Sequence, residues 1–409
     1  MVPEMQQERS ERPGLLVLAS TYPRWKGDPE PAFVHELCRR LAKRFEVYAV
    51  VPDAPGADPS GMFEDVHVIR YRYAPRRLQT LVNNGGIAAN LKRNRWKWLL
   101  LPFFVLAQFL EARRLLRRRR VDMVHAHWLL PQGMVARWLG RPYLVTSHGG
   151  DLFGLRGRLL AVSKRKVAAS SAGMTVVSRA MQDEASAQRI CAPSMAVVPM
   201  GVDLLGRFVP TDEPRSSDEL LFVGRLVAKK GLRFLLQAMP GIIARRASVR
   251  LRIAGFGPEE QALREQAQAL GLANHVSFEG AVPQDRLPAM YRRAALFVAP
   301  FVRDSSGDQE GLPVALMEAV GCGCPVIAGD VPGLADLLGE MAAQVCVDPK
   351  DTAALADAVL QSLEHPEQAR ARADRIRTNA MAWIDWETVA ERYGDLLMSC
   401  ISASEKEGR

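Results

Sequence analysis

Short apolar runs separated by helix-length stretches recur along nearly the whole chain, and this alternation constrains the fold more than any other feature. The first series places strands at Gly14–Ser20, Val47–Val51, Val66–Arg70, Asp122–Ala126, Tyr143–Ser147, Thr175–Val177 and Ala196–Val198. After a polar, proline-containing stretch from Val209 to Asp218 a second series follows, with strands at Leu220–Val223, Val249–Ala254, Val276–Glu279, Leu296–Ala299 and Pro325–Ala328. Strands alternating with helices build parallel sheets covered on both faces. The pattern predicts an α/β protein of two doubly wound domains, residues 1–202 and 203–385, with a last helix within 386–409 returning to the first. A chain of 409 residues is long enough for two such cores. Ligands of these sheets bind beyond the carboxyl ends of the strands, so two facing domains predict a cleft.

Charge divides unevenly between the two halves. Residues 1–200 carry 31 Lys/Arg against 16 Asp/Glu, and the remainder carries 23 against 29. The first half should therefore face something acidic: anionic lipid, a phosphorylated acceptor or nucleic acid. Nucleic acid is disfavoured, because the arginine run Arg117–Arg120 lies beside an apolar stretch rather than among aromatics on a sheet. That stretch, Trp96–Leu110, is shorter than the roughly 20 residues a spanning helix needs, and Pro102 is expected to break it. It is either a segment lying in a membrane interface or a core helix with a solvated end. The six cysteines include no zinc-ligand spacing, and Cys322-Gly323-Cys324 reads as small buried residues at a tight turn. Met1–Arg12 lacks the apolar core of a signal peptide, so a cytoplasmic location is expected.

The chemistry concentrates in the second half. Glu310 and Glu318 bracket an apolar segment in which Pro313 suits the first helical position, with Glu318 about two turns inside the helix. A carboxylate on an apolar helix is costly without a partner, and a polyhydroxylated ligand would be one. Upstream, Gly224-Arg225-Leu226-Val227-Ala228-Lys229-Lys230-Gly231 leaves a strand and enters a helix. Arg225 and Lys230 thus converge where a diphosphate could bind. A second turn of this kind, Gly255-Phe256-Gly257, is weaker evidence. Hydrolysis by the paired glutamates is disfavoured. Eight helical steps separate them by on the order of 12 Å, beyond the spacing at which two carboxylates flank one glycosidic bond.

Taken in order, the paired glutamates, the Gly-Arg-Leu…Lys-Gly segment and the Pro325-Val326-Ile327-Ala328 strand resemble the retaining glycosyltransferases of family 4, which have the GT-B fold of two Rossmann-like domains facing a cleft. The resemblance implies transfer of a sugar from a nucleotide-sugar donor to a saccharide or polyprenyl-linked acceptor, without metal or other cofactor. It implies that Arg225 and Lys230 bind the diphosphate, that Glu310 contacts sugar hydroxyls and that Glu318 takes the ribose. Gly224, Gly255, Gly257, Gly311, Leu312 and Pro313 would line the donor, and of the turn Asp330–Leu334 only Gly333 matches the family's glycines. In the first half, Ser147-His148-Gly149-Gly150-Asp151 resembles the family's His-Gly-x-Asp turn. It would place His148 beside the donor sugar, with His127 and Asp151 on the acceptor side. A structural role stays open for both histidines, and the His125-Ala126-His127 pair has no carboxylate cluster to suggest metal. The loop Trp25–Phe33 retains only Gly27 of the family's glycines, though it should still face the donor phosphates or the acceptor, which makes Gly27 a donor-binding candidate. An anionic membrane surface is a further expected partner, with a peripheral position on the inner face of the plasma membrane. The competing readings are a nucleotide-sugar epimerase on the same fold and a non-catalytic, membrane-associated sugar-nucleotide-binding protein.

Overall fold

The computed structural model describes residues 12–28, 32–82, 86–153, 157–305 and 307–407. Residues 1–11, on which the reading of the leader falls, and 29–31 of the first loop lie outside the described residues. Two sheets organise the chain. The first contains β1 (Gly14–Leu18), β2 (Glu46–Pro52), β3 (Gly61–Phe63), β4 (Val66–Tyr71), β5 (Met123–His127), β6 (Tyr143–Ser147), β7 (Gly173–Val176) and β8 (Met195–Val197). Their order is β3-β4-β2-β1-β5-β6-β7-β8. The second contains β9 (Glu219–Val223), β10 (Arg250–Ala254), β11 (Val276–Gly280), β12 (Leu296–Ala299), β13 (Val326–Gly329) and β14 (Cys346–Val347). Here the order is β11-β10-β9-β12-β13-β14. This is the two-sheet GT-B arrangement that the sequence implied.

Among the described residues every strand pairing is parallel except β3 with β4, which is antiparallel and was not anticipated. Its residues Gly61 and Met62 are exposed, so β3 lacks the continuous apolar signature of a buried strand. In each sheet the strand order reverses beside the first strand, between β1 and β5 and between β9 and β12. At such a switch point neighbouring crossovers depart to opposite faces and leave a crevice at the carboxyl edge. β1, β5, β6, β7 and β9 are buried at every position, as fits strands covered from both sides.

Two helical readings need correction. Pro102 does not break its segment. A short 3-10 turn, Arg95–Leu99, leads into one helix, Leu100–Arg118, with Pro102 in its first turn, where the missing N–H removes no helical bond. Pro313 is not the first helical residue but the extended residue before it, with ψ 122°. The helix runs Val314–Gly321, so Glu318 sits little more than one turn in and Glu310 lies in the preceding loop. The axial spacing used against hydrolysis therefore does not describe this pair.

The chain crosses between the sheets twice, and the crossings touch. Val202 donates its N–H to the Ile384 carbonyl at 2.9 Å, and Trp386 donates back to Val202 at 3.2 Å. The Asp385 carboxylate accepts from Leu204 N and Glu387 N. A helix of Trp386–Glu407 then lies against the helix Phe33–Leu41. Arg40 binds Glu387 at 3.1 Å and stacks over Trp386, while Tyr393 is buried against Thr175 of β7.

Candidate active site

Loops from the second switch point bring the cations together. The chain turns through Gly224 (φ 157°) after β9 and through Gly255 (φ 146°) after β10, and a Cβ on Gly255 would overlap the Gly224 carbonyl. A Cβ on Gly257 would likewise meet the Leu226 backbone. Gly255 and Gly257 are thus demanded by the packing of one loop on another, which accounts for them without a ligand. Gly231, at φ 67°, separates the turn Ala228–Lys230 from the helix Leu232–Arg245, and a side chain there would overlap the Pro300 carbonyl. The loop after β12 is in this way pressed against the lysine turn.

That contact builds an alternating charge row. Lys230 Nζ lies 3.3 Å from Glu310 Oε2, and Lys229 Nζ lies 3.4 Å from Glu310 Oε1 and 3.4 Å from Asp308 Oδ2. Lys230 also lies over the Phe301 ring at 4.8 Å. Burial pushes the Glu310 carboxyl up, but the two ammonium groups outweigh it and hold the pKa at about 2. Burial pushes Lys230 down and Glu310 offsets part of that, with Arg225 close enough to add to the depression. Lys229 ends up raised, because Glu310 and Asp308 together exceed its desolvation. Lys229 and Asp308 were not singled out in the sequence; the Asp-x-Glu spacing of residues 308–310 was the available signal.

Glu318 is placed differently. It is 4% exposed, and Tyr291 donates its hydroxyl to Oε2 at 2.9 Å. Burial pushes its pKa up to about 7 against the pull of Tyr291, Gln284, Arg207 and Lys230. The two glutamates therefore differ in the direction of their pKa shift as well as in position.

The first sheet contributes a neutral wall. His148, on the turn after β6, meets His127 of β5 through Nε2 and Nδ1 at 2.9 Å, with the rings stacked at 9°. His127 is fully buried, so it stands behind His148 rather than on the cleft surface. His125 bonds Thr146 Oγ1 at 2.8 Å. Burial depresses all three imidazoles, and their mutual proximity adds to this for His127 and His148. Phe33 and Trp128 lie 5.0 and 4.9 Å from the His148 ring, neither foreseen from sequence. Asp151 is buried, with its oxygens accepting from Leu129 N, Ser147 Oγ and His148 N. Its carboxylate ties the two strand-end loops together, which is a positioning task rather than the acceptor contact suggested by the motif.

The two walls meet at glycines. A Cβ on Gly149 would lie 3.6 Å from the Gly311 nitrogen, and one on Gly311 would lie 2.7 Å from Met181 Sδ of the first domain. Leu312 packs against the first core, and Gly333 abuts the Gly311 carbonyl. Arg179 reaches across to Asp336. The His148 turn and the Glu310–Leu312 loop are therefore neighbours. Gly27 is apart from this set, in a turn at φ 83° beside Asp28, whose carboxylate clasps Arg24. Among the described residues no group of three or more His, Cys, Asp or Glu side chains could hold a metal ion.

Comparison with known proteins agrees with this geometry. Residues 208–380 match the model of glycosyl transferases group 1, and residues 32–204 match that of glycosyltransferase family 4. The chain belongs to the family-4 glycosyltransferases. It is 29% identical over 277 residues to a GDP-mannose-dependent alpha-(1-6)-phosphatidylinositol monomannoside mannosyltransferase of Mycolicibacterium smegmatis, covering 65% of this chain and 72% of that one. The enzyme of the same description from Mycobacterium tuberculosis is 33% identical over 217 residues, so this match spans 50% of this chain and 56% of the relative. In fold, this family-4 member superposes on sucrose-phosphate synthase of Thermosynechococcus elongatus with a TM-score of 0.73 at 23% identity, covering 96% and 100% of the two chains. Anabaena HepE, in complex with UDP and glucose, gives 0.72 at 17% identity over 95% and 100%.

Proposed function

We propose that this glycosyltransferase moves a hexose, with retention of anomeric configuration, from a nucleotide diphosphate sugar to a saccharide or polyprenyl-linked acceptor in cell-surface polysaccharide assembly on the cytoplasmic side of the membrane. The observation that carries the reading is the Lys229–Glu310–Lys230 row at the second switch point, set beside the His148 turn. In this reading the donor diphosphate takes the place of Glu310 on Lys230, with Arg225 beside it, and the released carboxylate accepts from sugar hydroxyls. Glu318, once ionised, takes the ribose. The relatives' stated GDP-mannose dependence and the UDP held by HepE support a nucleotide-sugar donor.

Among the described residues no carboxylate stands out as a nucleophile, since Glu310 is tied to two lysines. The acceptor hydroxyl then attacks on the face from which the diphosphate departs. The bond from the anomeric carbon to the diphosphate oxygen breaks, a bond to the acceptor oxygen forms, and the diphosphate takes the proton. Lys230 and Arg225 stabilise the charge that develops on the leaving oxygen, so the reaction calls for no cofactor. His148, neutral and braced by His127, orients the sugar.

A nucleotide-sugar panel read by thermal shift tests the donor, since a true donor stabilises the fold by mass action. Proton NMR of the product formed from that donor then reads the anomeric configuration. Retention is expected. An inverted product would overturn the mechanism, and conversion of the donor into its epimer without acceptor would establish the epimerase reading instead.

A further inference from the structure

The helix Leu100–Arg118 is apolar on two opposite faces. Its inner face buries Leu100, Phe104 and Leu115, and the Gln108 amide donates to the carbonyls of Ala19 and Val50. A surface helix of this kind should be polar on the other side. Instead Leu99, Phe103, Leu106 and Leu110 are 71, 60, 52 and 43% exposed. Their spacing of four, three and four residues puts them on one stripe. The stripe continues into exposed Arg113 and Arg117, and exposed Arg93 and Arg95 flank its other end. Trp96 and Trp98, 41 and 50% exposed, stand in the turn before the helix. Trp138, 49% exposed and edge-on to Phe109 at 6.3 Å, widens the patch. Single exposed apolar residues need no explanation, but a contiguous set does.

We propose that this face docks in the plane of an anionic lipid bilayer. No helix of the described residues is long and apolar enough to cross a membrane, so the contact is interfacial. Leucine and phenylalanine side chains reach the acyl boundary, tryptophans lie in the headgroup layer, and the arginines at both ends meet anionic headgroups. The charge pattern selects lipid over a second copy of the chain. Antiparallel pairing of two such faces would set the arginines at each end of one stripe against those of the other, a like-charge juxtaposition. The 31 Lys/Arg against 16 Asp/Glu in residues 1–200 favour the same partner.

The docked orientation has a use. Phe104, near the start of the helix, meets Tyr71 and Tyr73 at the end of β4, and Arg120, just past its end, abuts Gly14 at the start of β1. The Leu100 end thus lies at the carboxyl edge of the first sheet, as does His148. Docking therefore brings the cleft edge to the bilayer, where an acceptor can keep its lipid tail in the membrane. That use rests on the lipid-linked acceptor proposed above; the docking itself does not.

The test is co-sedimentation of the full chain with vesicles of phosphatidylcholine plus phosphatidylglycerol, and with phosphatidylcholine alone, at low and high salt. Wild type should pellet with the anionic vesicles at low salt and release at high salt. A Leu99→Ser/Phe103→Ser/Leu106→Ser variant, altered only at exposed positions, should bind about a hundredfold more weakly. Its donor-induced thermal shift should be unchanged, which shows that it is folded. Wild type remaining in the supernatant at low salt, or a triple variant that pellets like wild type, would overturn the proposal. So would a wild-type dimer, seen by sedimentation velocity, that the variant dissociates while neither binds vesicles: the face would then join two copies. Vesicle binding without a response to any nucleotide sugar would leave docking standing and remove the transferase reading.

Discussion

The two walls of the site handle ionisable groups in opposite ways. On the first-domain side His125, His127 and His148 are packed together with hydroxyls and each other, and burial leaves them uncharged. On the second-domain side Lys229, Lys230, Asp308 and Glu310 are interleaved by sign, so pairing outweighs burial for Glu310 and Lys229 and offsets part of it for Lys230 and Asp308. A low dielectric penalises a lone charge, and neighbours of opposite sign offset that penalty. The first wall can shape and orient; the second can meet a diphosphate.

The comparison predicts an order of effects. Lys230→Ala should lower turnover about a thousandfold, in line with loss of a preorganised charge contact in the transition state, while the melting temperature moves little. Near-normal transfer by this variant would remove the charged wall from the mechanism. His148→Ala should cost about a hundredfold or less, at the low end for a positioned catalytic side chain; a loss exceeding that of Lys230→Ala would invert the comparison. Gly311→Ala sets a methyl group 2.7 Å from Met181 Sδ at the seam between the walls. Activity should fall about tenfold and recover in Gly311→Ala/Met181→Ala, because contacting residues couple. Failure of the second substitution to rescue would assign the clash to Val177, whose Cγ2 would lie 3.2 Å from the new methyl group, and not to Met181.

The smallest effect is a pH profile. The Glu318 carboxyl has a pKa near 7 in the fold against an ordinary 4.5, raised chiefly by burial. The folded state holds that proton more tightly, so this contribution to stability is complete below about pH 4.5 and is lost as pH rises through 7. Donor affinity should run the other way, since only the ionised carboxylate accepts from both ribose hydroxyls. Glu318→Gln should flatten both slopes, with melting temperature and donor-induced shift measured across that range as the readouts. Unchanged slopes in the variant would assign the pH dependence to another group.

The sequence carried the strand and helix series because buried parallel strands are apolar throughout and need no partner to be recognised. β3 escaped because an exposed edge strand has no such pattern, and Pro102 misled because proline breaks helices only beyond their first turn. The donor-side residues were found by motif, yet their pairing was not. Nothing local in Lys229 tells that Gly231 presses its turn onto the loop of Asp308 and Glu310. Likewise His127 and Asp151 carry polar side chains that a motif assigns to ligand, whereas the tertiary structure turns them inward. Sequence identifies the chemistry available, and burial decides which of it meets solvent.

The paired crossings at Val202 and Asp385 limit how the two sheets can shift. One covalent crossing would act as a tether, free to swing in three dimensions. Two that are hydrogen-bonded to each other act as a pin through a hinge plate. Gly201 lies flat against the Trp386 ring, where any side chain would wedge the pin apart. Relative displacement of the two sheets is therefore resisted at this pair of crossings. The lysine row and the histidine wall, carried by different sheets, are thereby held in one register.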